Sequence, residues 1–178
     1  MRFVVAASAA GPVPVDPILK EGAMSEVVIV IGSANDRDMV KESRMLELFD
    51  AVGMRVPVHA ISCHRNSAEL ERFCRESNAD VFIAAAGLAA ALPGAIAAST
   101  EMRKVVIGVP LENVGVDTCI RLPAGVPVLT AGVGKAGLFN AAIAACQIVA
   151  LTNAGVRDRL DRYLTQIARQ PQFDIFAG

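Results

Sequence analysis

The stretch Val27-Val28-Ile29-Val30-Ile31, running into Gly32-Ser33-Ala34-Asn35-Asp36, decides the fold class. Five β-branched residues in succession leave no polar position for a wet face, so they predict a strand covered on both sides. The glycine and small polar residues that follow predict a turn. The same unit recurs along the chain. VPVHAI (Val56–Ile61), VFIAA (Val81–Ala85), VVIGV (Val105–Val109) and VPVLT (Val126–Thr130) are four more such runs, each followed by a turn and a helical pattern. Strand–helix alternation of this kind predicts an α/β, three-layer, flavodoxin-like doubly wound domain with a five-stranded parallel sheet and a C-terminal helix.

The helices show in the 3.6-residue spacing of their apolar positions. Met45, Leu48, Phe49 and Val52 make one stripe, with Gly53 placed to close the helix. Asn66-Ser67-Ala68-Glu69 reads as a capping-box start before Leu70, Phe73 and Cys74. Ala136–Leu151 is apolar nearly all round, which predicts burial on every side. So small a domain has too little mass to cover such a helix, and a homo-oligomer is expected. Val156, Leu160, Tyr163, Leu164 and Ile167 mark a last, one-sided helix.

Composition narrows the function classes. The chain has 178 residues, close to one domain, and 53% apolar residues argue against disorder. Lys and Arg total 17 against 18 for Asp and Glu, so no basic field exists to attract nucleic acid or an anionic membrane. There is no Trp and a single Tyr, too few for a base-stacking platform. Cys63, Cys74, Cys119 and Cys146 form no C-x-x-C pair and share the chain with only two histidines, His59 and His64. This pattern predicts free thiols in a reducing cytoplasm, with no zinc site or disulfide framework. Residues 81–100 carry no charge, but their glycines and proline divide them into strand, turn and helix, so no membrane span is expected. Residues 1–23 read as a disordered extension, with the compact domain over residues 24–178.

In open α/β sheets, ligands bind beyond the carboxyl ends of the strands. Three segments fall there. Gly32-Ser33-Ala34-Asn35-Asp36 offers close backbone approach, a hydroxyl and a helix start that favours an anion such as phosphate; as an ordinary turn it would need only Asp36 as a cap. Ser62-Cys63-His64-Arg65-Asn66 offers a guanidinium for phosphate or carboxylate and an imidazole that can move a proton. Cys63 has no base of its own and reads as a packed thiol, and His59, inside a strand, as structural. The third segment, Ala86-Gly87-Leu88-Ala89-Ala90-Ala91-Leu92-Pro93-Gly94, supplies backbone amides to wall a small group, or serves close packing alone. A fourth, Gly132-Val133-Gly134-Lys135-Ala136-Gly137, lacks the Ser or Thr that a phosphate loop places after its lysine.

Taken in order, these segments resemble the PurE family, the 5-(carboxyamino)imidazole ribonucleotide mutases of purine biosynthesis. The G-S-x-S-D start of that family stands here as Gly32-Ser33-Ala34-Asn35-Asp36, its S-x-H-R as Ser62-Cys63-His64-Arg65, and its L-P-G as Leu92-Pro93-Gly94. Gly125-Val126-Pro127-Val128, Gly134-Lys135-Ala136-Gly137 and Asn140-Ala141-Ala142 match its carboxyl-terminal region. The resemblance covers roughly residues 27–151 and implies a homo-octamer. It also implies carboxyl transfer on an aminoimidazole ribonucleotide by way of carbon dioxide, without metal, biotin or nucleoside triphosphate. On the matched positions it makes His64 the proton carrier. Ser33, Asp36 and Arg65 would hold the ribose phosphate with Ser62 nearby, and Ala86, Gly87, Leu88 and Leu92 would line the substrate pocket. Leu88 and Ala91 replace a glycine and a histidine of the pattern, Asn35 replaces a serine, and the loop from Pro110 to Pro123 is shorter. Leu88 is expected to intrude on the carboxylate's place. These departures favour, as the alternative, a paralogue acting on another ribonucleotide-like substrate. A non-catalytic ribonucleotide-binding oligomer fits less well, because His64 is retained beside Ser33, Asp36 and Arg65.

Overall fold

A computed structural model describes residues 27–168. Five strands, β1 (Val27–Ile31), β2 (Val58–Ala60), β3 (Val81–Ala86), β4 (Val105–Pro110) and β5 (Leu129–Thr130), form one sheet in the order β2-β1-β3-β4-β5. Every pairing is parallel. This is the flavodoxin-type order expected from the strand–helix alternation. The extension expected over residues 1–23 lies outside the described residues.

Side-chain alternation along the central strands feeds two separate cores. Val27, Ile29 and Ile31 of β1 and Val81, Ile83 and Ala85 of β3 point into one. Val28, Val30, Phe82 and Ala84 point into the other. The first core is closed by α1 (Arg37–Glu42), α2 (Met45–Ala51), α6 (Gly134–Ala150) and α7 (Ala154–Ala168). The second is closed by α3 (Ser67–Glu76), α4 (Leu92–Ser99) and α5 (Val116–Ile120). With both faces dry, β1 and β3 are buried at every residue. A polar residue at any of these positions would lose its water without gaining a partner.

Local signals hold in part. Gly53 does close α2: its φ is +71°, and Met54 N–H donates back to the Phe49 carbonyl at 2.8 Å. Asn66 does precede α3, but its side chain makes no capping hydrogen bond, so the predicted capping box does not form. Asp36 likewise stands before α1 without capping it through its side chain. The two outer strands are shorter than their apolar runs, because an edge strand pairs on one side only. β2 keeps three residues of Val56–Ile61, and β5 two of Val126–Thr130.

Helix α6 buries Gly137, Leu138, Ala141, Ala142, Ala145, Cys146, Val149 and Ala150 along one face, with Phe139, Ile143, Ala144 and Ile148 partly covered. Burial on every side, expected from its composition, is therefore not reached within one chain. Small residues are needed at its start, where a Cβ on Gly137 would lie 2.5 Å from the Gly132 carbonyl.

Candidate functional site

β1 connects to β2 on one side of the sheet, whereas β3 lies on β1's other side. This reversal opens a crevice at the carboxyl ends of β1 and β3. A cavity of about 470 Å³ lies there. It is lined by Gly32, Ser33, Asn35 and Asp36 after β1, and by Ser62, Cys63, His64 and Arg65 after β2. Ala86, Gly87, Leu88, Ala91 and Leu92 line it after β3, and Glu112 after β4. All nine residues singled out by motif, from Ser33 to Leu92, thus meet in one cavity although they come from three separate loops.

Each loop is held by its own backbone. Gly32 N–H donates to the Ala85 carbonyl at 2.9 Å, continuing the β1–β3 ladder past the end of β1. Ser33 Oγ accepts from Asn35 N–H at 3.2 Å and caps a 3₁₀ turn over Ala34–Asp36. Ser62 Oγ accepts from Arg65 N–H at 3.3 Å, while Asn66 N–H donates to the Ser62 carbonyl at 2.8 Å. Both serines therefore act as turn acceptors, and each keeps its own O–H to donate to a phosphate or carboxylate oxygen. The chain after β1 forms a 3₁₀ turn and then a six-residue helix. An anion there would rely on the serine and Arg65 more than on a long helix dipole.

His64 and Arg65 sit on the turn after β2, exposed in the single chain. Neither side chain has a hydrogen-bond or ion-pair partner among the described residues, so both are available to a ligand. Burial raises the Asp36 carboxyl above its usual value, the Ser33 backbone contact pulls it down, and the nearby charge of Glu112 raises it again. Burial also pushes the Cys63 thiol up, against the backbone N–H groups of Cys63 and His64. A thiol held neutral is a poor nucleophile, which agrees with a packed role.

The wall after β3 is strained. Ala89 and Ala90 have φ of +63° and +35°, a region that costs an alanine about 1–2 kcal/mol. Ala90 is fully buried, and its N–H donates to the Gly87 carbonyl at 3.0 Å. The reason it can sit there is Gly115, in the 3₁₀ turn Asn113–Gly115. A Cβ at Gly115 would lie 2.7 Å from Ala90 Cβ and 3.3 Å from the Gly87 carbonyl oxygen. Close packing also occurs deeper in the same layer, where a Cβ on Gly108 would meet Pro93 at 3.1 Å. The close-packing reading of this glycine–alanine segment is thus met at Gly108 and Gly115. Leu88 borders the cavity but is 76% exposed. It flanks the mouth rather than filling the interior, contrary to the intrusion expected from its size.

Glu112 was not legible as a site residue from the motifs. The placement rule that picked out the first three loops applies equally to Pro110-Leu111-Glu112 after β4, and would have found it. The glycine-rich Gly132–Gly137 stretch stands apart from this cavity, and Lys135 pairs with Glu42 of α1. His59 lies in β2 with its ring 4.6 Å from that of Phe73. No helix among the described residues is long and apolar enough to cross a membrane.

Comparison with known proteins agrees with the motifs. The family model described as AIR carboxylase matches residues 26–170. The chain is 37% identical over 146 residues to the N5-carboxyaminoimidazole ribonucleotide mutase of Escherichia coli K12, covering 77% of this chain and 84% of that protein. It is 31% identical over 147 residues to the protein of the same name in Methanocaldococcus jannaschii, covering 81% and 91%. Its backbone is similar to the crystal structure of Treponema denticola PurE, with a TM-score of 0.69 at 19% identity over 82% of this chain and 92% of that one. With the doubly wound sheet, the switch-point cavity and these relatives all in agreement, the chain belongs to the AIR carboxylase family.

Proposed function

We propose that the protein is a 5-(carboxyamino)imidazole ribonucleotide mutase of purine biosynthesis, moving a carboxylate from the exocyclic nitrogen to the neighbouring ring carbon. The observation that carries this reading is the meeting of His64, Arg65, Ser33, Asp36 and the Ala86–Leu92 wall in one cavity at the switch point. Arg65 and the Ser33 and Ser62 hydroxyls donate to the phosphate. Asp36, an acceptor when ionised, takes the ribose hydroxyls rather than the phosphate. His64 gives a proton to the exocyclic nitrogen as its bond to the carboxyl carbon breaks, releasing carbon dioxide and the free amine. The ring carbon then attacks carbon dioxide. His64 removes the ring proton and returns to its starting state, so no proton is gained or lost overall. The Gly87 backbone and the buried Ala86 and Leu92 side chains give carbon dioxide a small enclosure.

Retaining carbon dioxide requires a closed site, and one chain leaves His64 and Arg65 open. Leu88 and Val114, 76% and 70% exposed, offer apolar surface on the loops after β3 and β4 for a second copy to cover. A homo-oligomer, an octamer by family resemblance, in a reducing cytoplasm is the assembly this reading needs. Sedimentation at micromolar concentration should show no clean monomer.

Ala91, which lines the cavity where the family pattern has a histidine, favours the second reading, an altered substrate on the same machinery. Assay of the purified protein on the carboxyaminoimidazole ribonucleotide decides between the two. Ready turnover supports the mutase. Weak turnover that rises when Leu88→Gly is combined with Ala91→His supports the altered substrate.

A further inference from the structure

Four charged or titratable polar side chains face the cavity besides the Cys63 thiol: Asp36, His64, Arg65 and Glu112. Arg65, His64 and the serines occupy the β1 and β2 side. The β3 side is backbone and apolar side chains, with one exception. A carboxylate oxygen of Glu112 lies 3.6 Å from where a Cβ would stand on Gly87. Glycine leaves that contact open, so Glu112 reaches over the bare backbone into the part of the cavity where a small group would be walled in. The carboxylate also acts on Asp36 across the same space.

A carboxylate has no proton to donate. At that point it can accept from an N–H and can only repel another carboxylate. The remaining residues of the wall present no cation to offset it. We propose that Glu112 is a specificity-determining residue: it accepts a hydrogen bond from the exocyclic amine of an aminoimidazole ribonucleotide at the Gly87 end, and disfavours ligands that place a carboxylate there. This rests on the mutase reading, within which Glu112 favours the free amine left after carbon dioxide departs over either carboxylated form.

Equilibrium binding of three ligands tests it: the uncarboxylated aminoimidazole ribonucleotide, the form carboxylated on the ring carbon, and ribose 5-phosphate. Glu112 is exposed on a loop, so its replacement leaves the fold intact. Glu112→Ala should weaken the uncarboxylated amine by about tenfold, the scale of one charge-assisted hydrogen bond, and tighten the carboxylated form several-fold. Ribose 5-phosphate should bind unchanged. Glu112→Gln keeps an acceptor without the charge, so it should recover much of the amine binding while still admitting the carboxylated form. If ribose 5-phosphate and both nucleotides bind but neither substitution alters the ratio of the two nucleotides, Glu112 has no such role and the mutase reading stands. If neither nucleotide binds the wild type, the mutase reading and this inference fall together.

Discussion

Two cavities of similar size lie at opposite ends of the sheet, and each holds one of the two histidines. The cavity at the carboxyl end has about 470 Å³ and contains His64; the one at the amino end has about 510 Å³ and contains His59. Size does not separate them. The amino-end cavity is bordered by Val27, Val28, Pro57, Phe73 and Ala79, and its imidazole is packed against Phe73. The carboxyl-end cavity collects turn serines, and an Arg65 and an imidazole without partners among the described residues, from the loops after β1 and β2. Parallel strands bring this about. Every strand ends at the same edge, so each following loop adds its polar groups there, while the chain enters from the helices at the other edge.

The largest effect should separate the two histidines. His64→Asn keeps size and hydrogen bonding but cannot shuttle a proton, and turnover should fall by about 10²–10⁴ while ligand still binds. His59→Asn should leave turnover near wild type and cost about 1 kcal/mol of stability by losing the ring contact with Phe73. Equal losses of turnover from both would erase the distinction between the cavities.

Next in size is the anion contact. Arg65→Ala should weaken any phosphorylated ligand by about 1.5–3 kcal/mol, read by calorimetry. Arg55→Ala, at the amino-end cavity, should leave the same titration unchanged. Unchanged affinity in Arg65→Ala would mean that the guanidinium only shapes its turn.

Gly115→Ala probes the strained wall. Its methyl would press on the buried Ala90 at 2.7 Å, and thermal unfolding should report a loss of about 1–3 kcal/mol. Ligand affinity should fall with it, because Ala90 and the Gly87 carbonyl belong to the same loop. A stable variant that binds normally would show that this loop yields without disturbing the site.

The smallest effect is electrostatic. Asp36 has its proton affinity raised in the folded protein, so the protonated carboxyl is the favoured partner of folding. That contribution is present at low pH and is lost as pH rises from the ordinary value of 3.8 through the raised folded value. Asp36→Asn removes the titration, and its stability should fall less than that of wild type across this interval. Chemical denaturation at a series of pH values reads the difference.

The sheet and its site were legible to different degrees. Val27–Ile31 and the runs beginning at Val81 and Val105 announced themselves, because burial on both faces forbids polar residues and leaves an unbroken apolar string. The runs around Val58 and Leu129 looked equally strong, yet only short pieces pair. Whether a run lies at the centre or the edge of a sheet depends on strand order, which no local window contains. The motif residues His64, Arg65, Ser33 and Asp36 were legible because rare polar groups stood just after apolar runs. Glu112 carries no such signal, because its neighbours show no comparable pattern, and only the pairing of β4 beside β3 brings it to the cavity. Leu88 shows the converse: its bulk was plain from the sequence, but the direction taken by a loop with two left-handed alanines sends it to the mouth. Residue chemistry and periodicity are local properties and can be read along the chain. Which groups face one another is set by long-range strand pairing and by close contacts such as Gly115 against Ala90, and exists only once the sheet has closed.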